Sequence, residues 1–429
     1  MFKLIIKNLW SRRKRNLTLL IELIIVTVVA WASLDTVIVN LYVRNMPLGY
    51  DPSRLVIVTF GNAAFSAADD NPESFQRSLE QFNAMLKTLP EVESGSWIER
   101  TLLESSGFSC SVFGDSLHSV NVFNVSFIKG WNYFDVVGIK PVGRTPSTDE
   151  LLNRGYARGE CVVSESVART FFGDMDAVGH YIGENDSDFN PDDAYKVVGV
   201  VTDIRPRSNE SDAMVMYRPA PDWMLDSYLR YPEFCIRLKE GVSARAFINK
   251  YSDRIGGFKS GNLYVYKARP MTEAGEEYLY NSGYTNSMRL RVILAVFFLV
   301  NLFLGIVGIF LLQTRKRTED AGVMLSFGAT PRYIRRMLLG EGVVITTVSW
   351  AIGCIGYYFI AKSVGLATGI GNMNVDMRID VPWIASFAQH FAIVSAIIYI
   401  LILAAVLLGI YIPARRISRV NPVDALRDE

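Results

Sequence analysis

Four apolar runs set the terms for everything this 429-residue chain can fold into. They are Leu17 to about Leu34, weakening to Val43; Val292 to Leu312; Val343 to Ile360; and Phe391 to Ile412. A helix rising about 1.5 Å per residue needs about 20 apolar residues to cross about 30 Å of hydrocarbon. The second and fourth runs have that length with no charge inside them. A soluble core helix is usually shorter and keeps a polar stripe. The pattern predicts transmembrane helices at about 292–312, 343–360 and 391–412.

The first run follows Lys3, Lys7, Arg12, Arg13, Lys14 and Arg15, and Ala30-Trp31-Ala32 resembles a signal-peptidase site. Apolar character persists past that point and Glu22 interrupts it, so residues 17–43 read as an uncleaved signal anchor. That helix would span the bilayer and project beyond it from Asp35 to Val43. Phe2 to Trp10 is amphipathic and reads as an interfacial anchor within a basic arm, residues 1–16.

The net charge of +1 offers no global field for nucleic acid, but the local segregation of charge is strong. Cations cluster in the N-terminal arm, in Arg315, Lys316, Arg317, Arg332, Arg335 and Arg336, and in Arg415, Arg416, Arg419 and Arg427. The segment from Ser363 to Gln389 holds Arg378 alone. Lys and Arg mark cytoplasmic loops, so the expectation is a multi-pass inner-membrane protein with both termini inside. Arg289 and Arg291, at the other end of the second span, can snorkel. Glu22 is the one clear intramembrane acid in this reading, near the inner end, where snorkelling accounts for it.

Residues 44–288 then lie outside and read as a mixed α/β domain, in one or two lobes. Strand signals fall at Leu55–Phe60, Ser119–Phe127, Tyr195–Ile204, Phe234–Gly241 and Asn262–Met271, with Gly199 a candidate bulge. Helical periodicity runs over Pro72–Leu89 and Val242–Ile255. Residues 141–158 and 184–194 look like polar loops. Cys110, Cys161 and Cys235 are not at CxxC spacing, and three cysteines leave at least one unpaired within the chain. His118, His180 and His390 are far apart, so neither a metal site nor catalytic residues are expected. There is no nucleophile elbow and no phosphate loop.

Between the second and third spans, residues 313–342 form a hinge. Gly328 suits the left-handed conformation that closes a helix, Thr330 an N-cap and Pro331 a first helical position. Arg332, Arg335 and Arg336 share one face of the following helix; Ile334, Met337 and Leu338 share another. Such a helix lies in the interface, with arginines toward lipid phosphates or an acidic partner.

Trp131 to Arg144, the run through Val162, Glu165, Ala168, Phe172, Gly173, Gly179 and Gly199, the hinge, and the tail Pro413 to Arg427 match an ordered set of motifs. On these the chain resembles ABC-transporter permeases of the MacB, lipoprotein-releasing (Lol) and FtsX-like family, with a MacB-like periplasmic core domain. The fold implied is an α-helical integral membrane protein of four transmembrane helices. A large extracytoplasmic α/β domain lies between helices 1 and 2, and residues 289–429 form the FtsX-like permease domain. The resemblance implies that Asp320, Gly322, Gly328, Ala329, Pro331, Arg332, Arg335, Arg336 and Glu341 couple the chain to an ATPase. Arg415, Arg416, Pro422 and Leu426 belong to its cytoplasmic tail motif. Glu319, Met324 and Leu325 depart from the family's often basic pattern. No nucleotide-binding domain is present, so ATP and Mg would sit on a separate cytoplasmic ABC ATPase and this chain would bind no cofactor. Further implied partners are a second permease copy or paralogue, membrane lipids and an extracytoplasmic adaptor. The expected function is export or extraction of a substrate at the outer face. The alternative is an FtsX-like regulator that transmits ATPase motion to an outer partner without transport.

Overall fold

The computed structural model describes residues 13–63, 72–99, 102–103, 108–113, 119–153, 159–173, 177–183, 194–209, 212–220, 232–312, 314–368, 377–378 and 381–418. The basic arm up to residue 12 and the tail residues Pro422 and Leu426 lie outside them. The chain divides into a membrane-helix unit (residues 1–41, 285–368 and 381–429) and an α/β unit (residues 42–284 and 369–380).

Among the described residues of the α/β unit, eleven strands form one sheet. They are β1 (Leu55–Asn62), β2 (Val92–Ile98), β3 (Phe108–Phe113), β4 (Ser119–Phe127), β5 (Glu160–Ser164), β6 (Tyr181–Ile182), β7 (Tyr195–Val201), β9 (Val215–Pro219), β10 (Glu233–Leu238), β11 (Lys259–Ser260) and β12 (Leu263–Pro270). β8 (Asp212–Ala213) pairs instead with β13 (Met377–Arg378). The order is β11-β12-β1-β10-β2-β4-β9-β5-β7-β6, with β3 paired to β4. β4–β9 and β5–β7 are parallel, so the sheet is mixed.

β1 shows why the sheet is buried on both faces. Leu55 and Ile57 enter one apolar cluster with Tyr133, Phe134 and Val136. Val56, Val58 and Phe60 enter another, under Phe75, Leu79, Phe82 and Leu86 of a helix at Pro72–Lys87. A two-residue period between two covered faces gives this division. β7 breaks that period: the register shifts beside Val198, so that Cys161 faces Val197 while Val162 faces Gly199. A Cβ on Gly199 would approach Thr145 Cγ2 to 2.9 Å, so the bulge needs glycine.

Three details differ from the sequence expectation. The helix expected over 242–255 is broken into Ala244–Lys250 and Ser252–Gly256. The break falls at Tyr251, whose hydroxyl donates to Glu91 Oε2 at 2.7 Å while Lys250 Nζ donates to Oε1 at 2.5 Å. Lys250 first, then Tyr251, holds the Glu91 carboxyl below the usual range. A short helix, Thr148–Asn153, sits within one stretch read as loop. Met377–Arg378, within a stretch not read as strand, pair with Asp212–Ala213.

Four helices of the described residues are long and apolar enough to cross a membrane. They belong to α1 (Arg13–Arg44), α9 (Tyr284–Leu312), α11 (Pro331–Val364) and α13 (Phe387–Ile417), with α10 (Thr314–Ser326) between α9 and α11 and α12 (Pro382–Ala385) before α13. Small residues let them close up. A Cβ on Gly353 of α11 would meet Thr27 Cβ of α1 at 2.7 Å, and one on Gly409 of α13 would meet Ile306 Cγ2 of α9 at 3.0 Å. Ile293, Phe297, Leu304, Ile355, Phe359, Ile400 and Leu408 stay exposed, as lipid-facing side chains do.

Glu22 is not the sole acid within these helices. Asp35 of α1 and Glu341 of α11 are both buried, at 5% and 4% exposure. Asp35 had been expected on a projecting stalk and Glu341 in a cytoplasmic loop; each sits where neighbouring helices cover it.

Gly353→Leu should overpack the α1–α11 crossing and destabilise the chain by about 1–3 kcal/mol or more. Gly356→Leu, with nothing within 4 Å of its Cβ position, should not. Thermal scans of the two purified variants check the contrast. Cys161 and Cys235 are free and buried, and burial pushes the Cys235 thiol well up. Alkylation at about pH 8 should therefore miss both until denaturant is added; peptide mass analysis reads the sites.

Candidate functional site

The hinge is built by two complementary helix ends. Gly328 takes φ +88°, the left-handed conformation. Gly328 N–H donates to Leu325 O at 3.0 Å and Ala329 N–H to Met324 O at 2.9 Å. This pair of bonds is the Schellman closure of α10. Thr330 then opens α11 from an extended backbone, φ −84° and ψ 151°, and its Oγ1 accepts from Tyr333 N–H at 3.3 Å. Pro331 stands in the first helical position, where its missing N–H costs nothing. Each end of the elbow is thus satisfied by its own residues.

One side of the elbow is seated in the bundle. Ala321 of α10 and Ile334 and Leu338 of α11 share an apolar cluster with Ile410, Ala414 and Ile417 of α13. Met324 and Leu325, which depart from the family pattern, pack against the same cluster. Their apolar character serves this inner contact.

The other side faces outward. Arg332 and Arg336 are exposed, Arg335 is half-buried, and Asp320 and Ala329 are half-buried. Gly322 and Glu341 are buried, so neither is presented to an outside partner. Arg415 and Arg416 are exposed on the last turn of α13, beside Ala414 and Ile417 of the shared cluster. The structure therefore separates the expected coupling residues into a displayed set and an inner set.

Sequence reasoning missed Phe327. Its ring is 88% exposed at the tip of the elbow, just before Gly328. The signal available was a large aromatic beside a helix-closing glycine, off the apolar face of α10.

The N-terminus of a helix carries about half a positive charge, felt mainly within the first turn, where a cation is disfavoured. α11 has no acidic residue in its first turn and places Arg332, Arg335 and Arg336 within its first two. An anionic surface against the elbow would relieve that.

Comparisons place the chain. The MacB-like periplasmic core domain model matches residues 19–252, and the FtsX-like permease C-terminal model matches residues 292–422. The Macrolide export ATP-binding/permease protein MacB 1 of Yersinia pestis bv. Antiqua (strain Antiqua) is 26% identical over 370 residues, covering 84% of this chain and 50% of that protein. The chain thus spans about half the length of the first such relatives it matches. The uncharacterized ABC transporter permease YvrN of Bacillus subtilis (strain 168) is 25% identical over 346 residues, covering 75% of this chain and 76% of that one. Among solved structures, the periplasmic region of MacB from Actinobacillus actinomycetemcomitans aligns with a TM-score of 0.30 at 14% identity, covering 53% of this chain and 94% of that one. With the core-domain model spanning more than half of its residues and the permease model much of the rest, the chain belongs to the ABC transporter permeases of the MacB and FtsX type.

Proposed function

We propose that this chain is the non-catalytic permease subunit of an ABC transporter. A separate cytoplasmic ATPase, carrying ATP and Mg, would act on it at the elbow between α10 and α11. One observation carries the reading: Phe327, Arg332 and Arg336 are displayed on a self-capped turn whose other side is packed into the bundle. An exposed aromatic flanked by arginines is the composition of a docking hot spot.

Pressure on such an elbow is not absorbed locally. Its backbone hydrogen bonds are already made and its inner face is close-packed, so it moves with the helices that hold it. α11 has 34 residues and would be about 50 Å long, enough to carry a displacement across a bilayer. α1 and α9 continue by covalent connection into the α/β domain, which would move in response. The distribution of Lys and Arg supports cytoplasmic termini and a cytoplasmic elbow. The exposed apolar side chains of α9, among them Ile293 at 62% and Phe297 at 56%, support a second permease copy or lipid beside it. The work done is export or extraction of a substrate at the outer face.

Topology is checked with an impermeant maleimide on intact cells. Glu150→Cys should label and Tyr333→Cys should label only after lysis; labelling of both from outside overturns the proposal. Coupling is checked by co-purification from native membranes. Phe327→Ala should weaken retention of the ATPase by about 2 kcal/mol, roughly 30-fold in Kd, and Arg332→Glu with Arg336→Glu should abolish it. Undiminished retention in both would remove the elbow from the mechanism. Gly328→Val meets no clash but forces a left-handed β-branched residue, at about 1–2 kcal/mol. ATP-dependent activity should fall with membrane insertion normal. Efflux from vesicles carrying the complex separates transport from ATPase-driven regulation of an outer partner.

A further inference from the structure

A polar contact lies inside the membrane unit toward the end where α1 runs on to the α/β domain. His390 Nε2 and Asp35 Oδ1 are 2.8 Å apart. His390 is 0% exposed and Asp35 5%. The second carboxyl oxygen, Oδ2, accepts the Ala367 backbone N–H at 2.9 Å. These partners sit on three segments: Asp35 on α1, Ala367 just beyond the end of α11, and His390 near the start of α13. Asp35 and His390 are 355 residues apart in the chain.

Aromatic rings close the site. Trp383 of α12 meets the imidazole edge to face, centroids 5.3 Å apart. Trp31, a turn before Asp35, is stacked between Tyr357 and Phe391 at 4.8 and 4.7 Å. Arg291 of α9 reaches the backbone of the same turn, donating to Ala32 O at 3.1 Å. His390 Nδ1 is buried with no hydrogen-bond partner.

Ionisable groups inside a membrane bundle are costly unless joined to one another. Parting this pair without water would strand a carboxyl and an imidazole together, so the contact is either made or fully released. Apolar surfaces give way gradually; directional bonds between buried groups make two discrete arrangements. Elsewhere α1 meets α11 through Thr27 against Gly353, a contact of shape. The unpartnered Nδ1 matters to release. In the joined state the ring has one of its two nitrogens satisfied, whereas water would satisfy both once α1 moved away.

We propose that Asp35 and His390 form a latch that fixes α1 to the α11–α13 hairpin, so that α1 leaves the hairpin in one step. The latch does not rest on the elbow or on any ATPase, and the chain alone tests it.

The experiment uses the full chain in lipid nanodiscs, with Cys110→Ser and spin labels at Leu41→Cys and Gln389→Cys, both exposed positions. Double electron–electron resonance should give one narrow distance with the pair intact. Asp35→Leu and His390→Leu, which leave an apolar contact that gives way gradually, should each broaden the distribution toward longer distances. His390→Gln, whose side-chain amide can still donate to Asp35, should keep the short distance dominant. A single unchanged distance in both leucine variants overturns the latch, as does a glutamine variant that opens as fully as leucine. If the leucine variants fail to insert, hydrogen exchange on the unaltered chain decides. The Ala367 amide should exchange at least about tenfold faster than those of Ser349 to Gly353 through a local opening. Exchange in step with them overturns the proposal.

Discussion

The seat of Ile334 and Leu338 in one apolar cluster with Ala414 and Ile417 is the contact on which the build of the elbow depends. Without it, the elbow would be a loop hung between two helices. With it, α10, the start of α11 and the end of α13 form one packed body. The local closure at Gly328 and the cap at Thr330 matter because they let the chain reverse direction without borrowing hydrogen bonds from elsewhere. The outer face is then free to carry groups that local stability would not select, including arginines at the positive end of a helix and a bare phenyl ring.

The same division of labour appears along the bundle. Glycine stands where backbones approach, as at Gly353 and Gly409, while the bulky side chains of Ile355 and Phe359 face outward. Within hydrocarbon there is no gain from hiding one apolar side chain rather than another. Shape and paired polar groups therefore do the sorting, as at Gly353 against Thr27, Gly409 against Ile306, and Asp35 with His390.

Much of this was legible in one dimension because the rules involved are local. Four long apolar runs imply spanning helices whatever surrounds them. Glycine, threonine and proline at 328, 330 and 331 specify a turn within four residues, and the turn has that form. β1 was readable as a short β-rich run and β4 from alternation. What escaped depended on distant neighbours. Glu341 looks like a loop acid until α13 is laid over it. Asp35 looks like a stalk residue until His390 arrives from 355 residues away. β3, β5 and β9 are short strands whose assignment rests on pairing partners, and Phe327 is conspicuous only once the elbow shows which side is solvent.

The free thiols of the α/β domain carry a consequence for biogenesis. Cys161 and Cys235 end up sealed inside a sheet that belongs to an extracytoplasmic fold, where the surroundings favour disulfides. Once the strands have closed, no oxidant reaches them. While the polypeptide is still emerging, nothing shields them, and a wrong cross-link would trap the domain before its layers assemble. Maturation is thus a race between strand assembly and oxidation, and a sluggish folding variant would betray itself by mispaired sulfur.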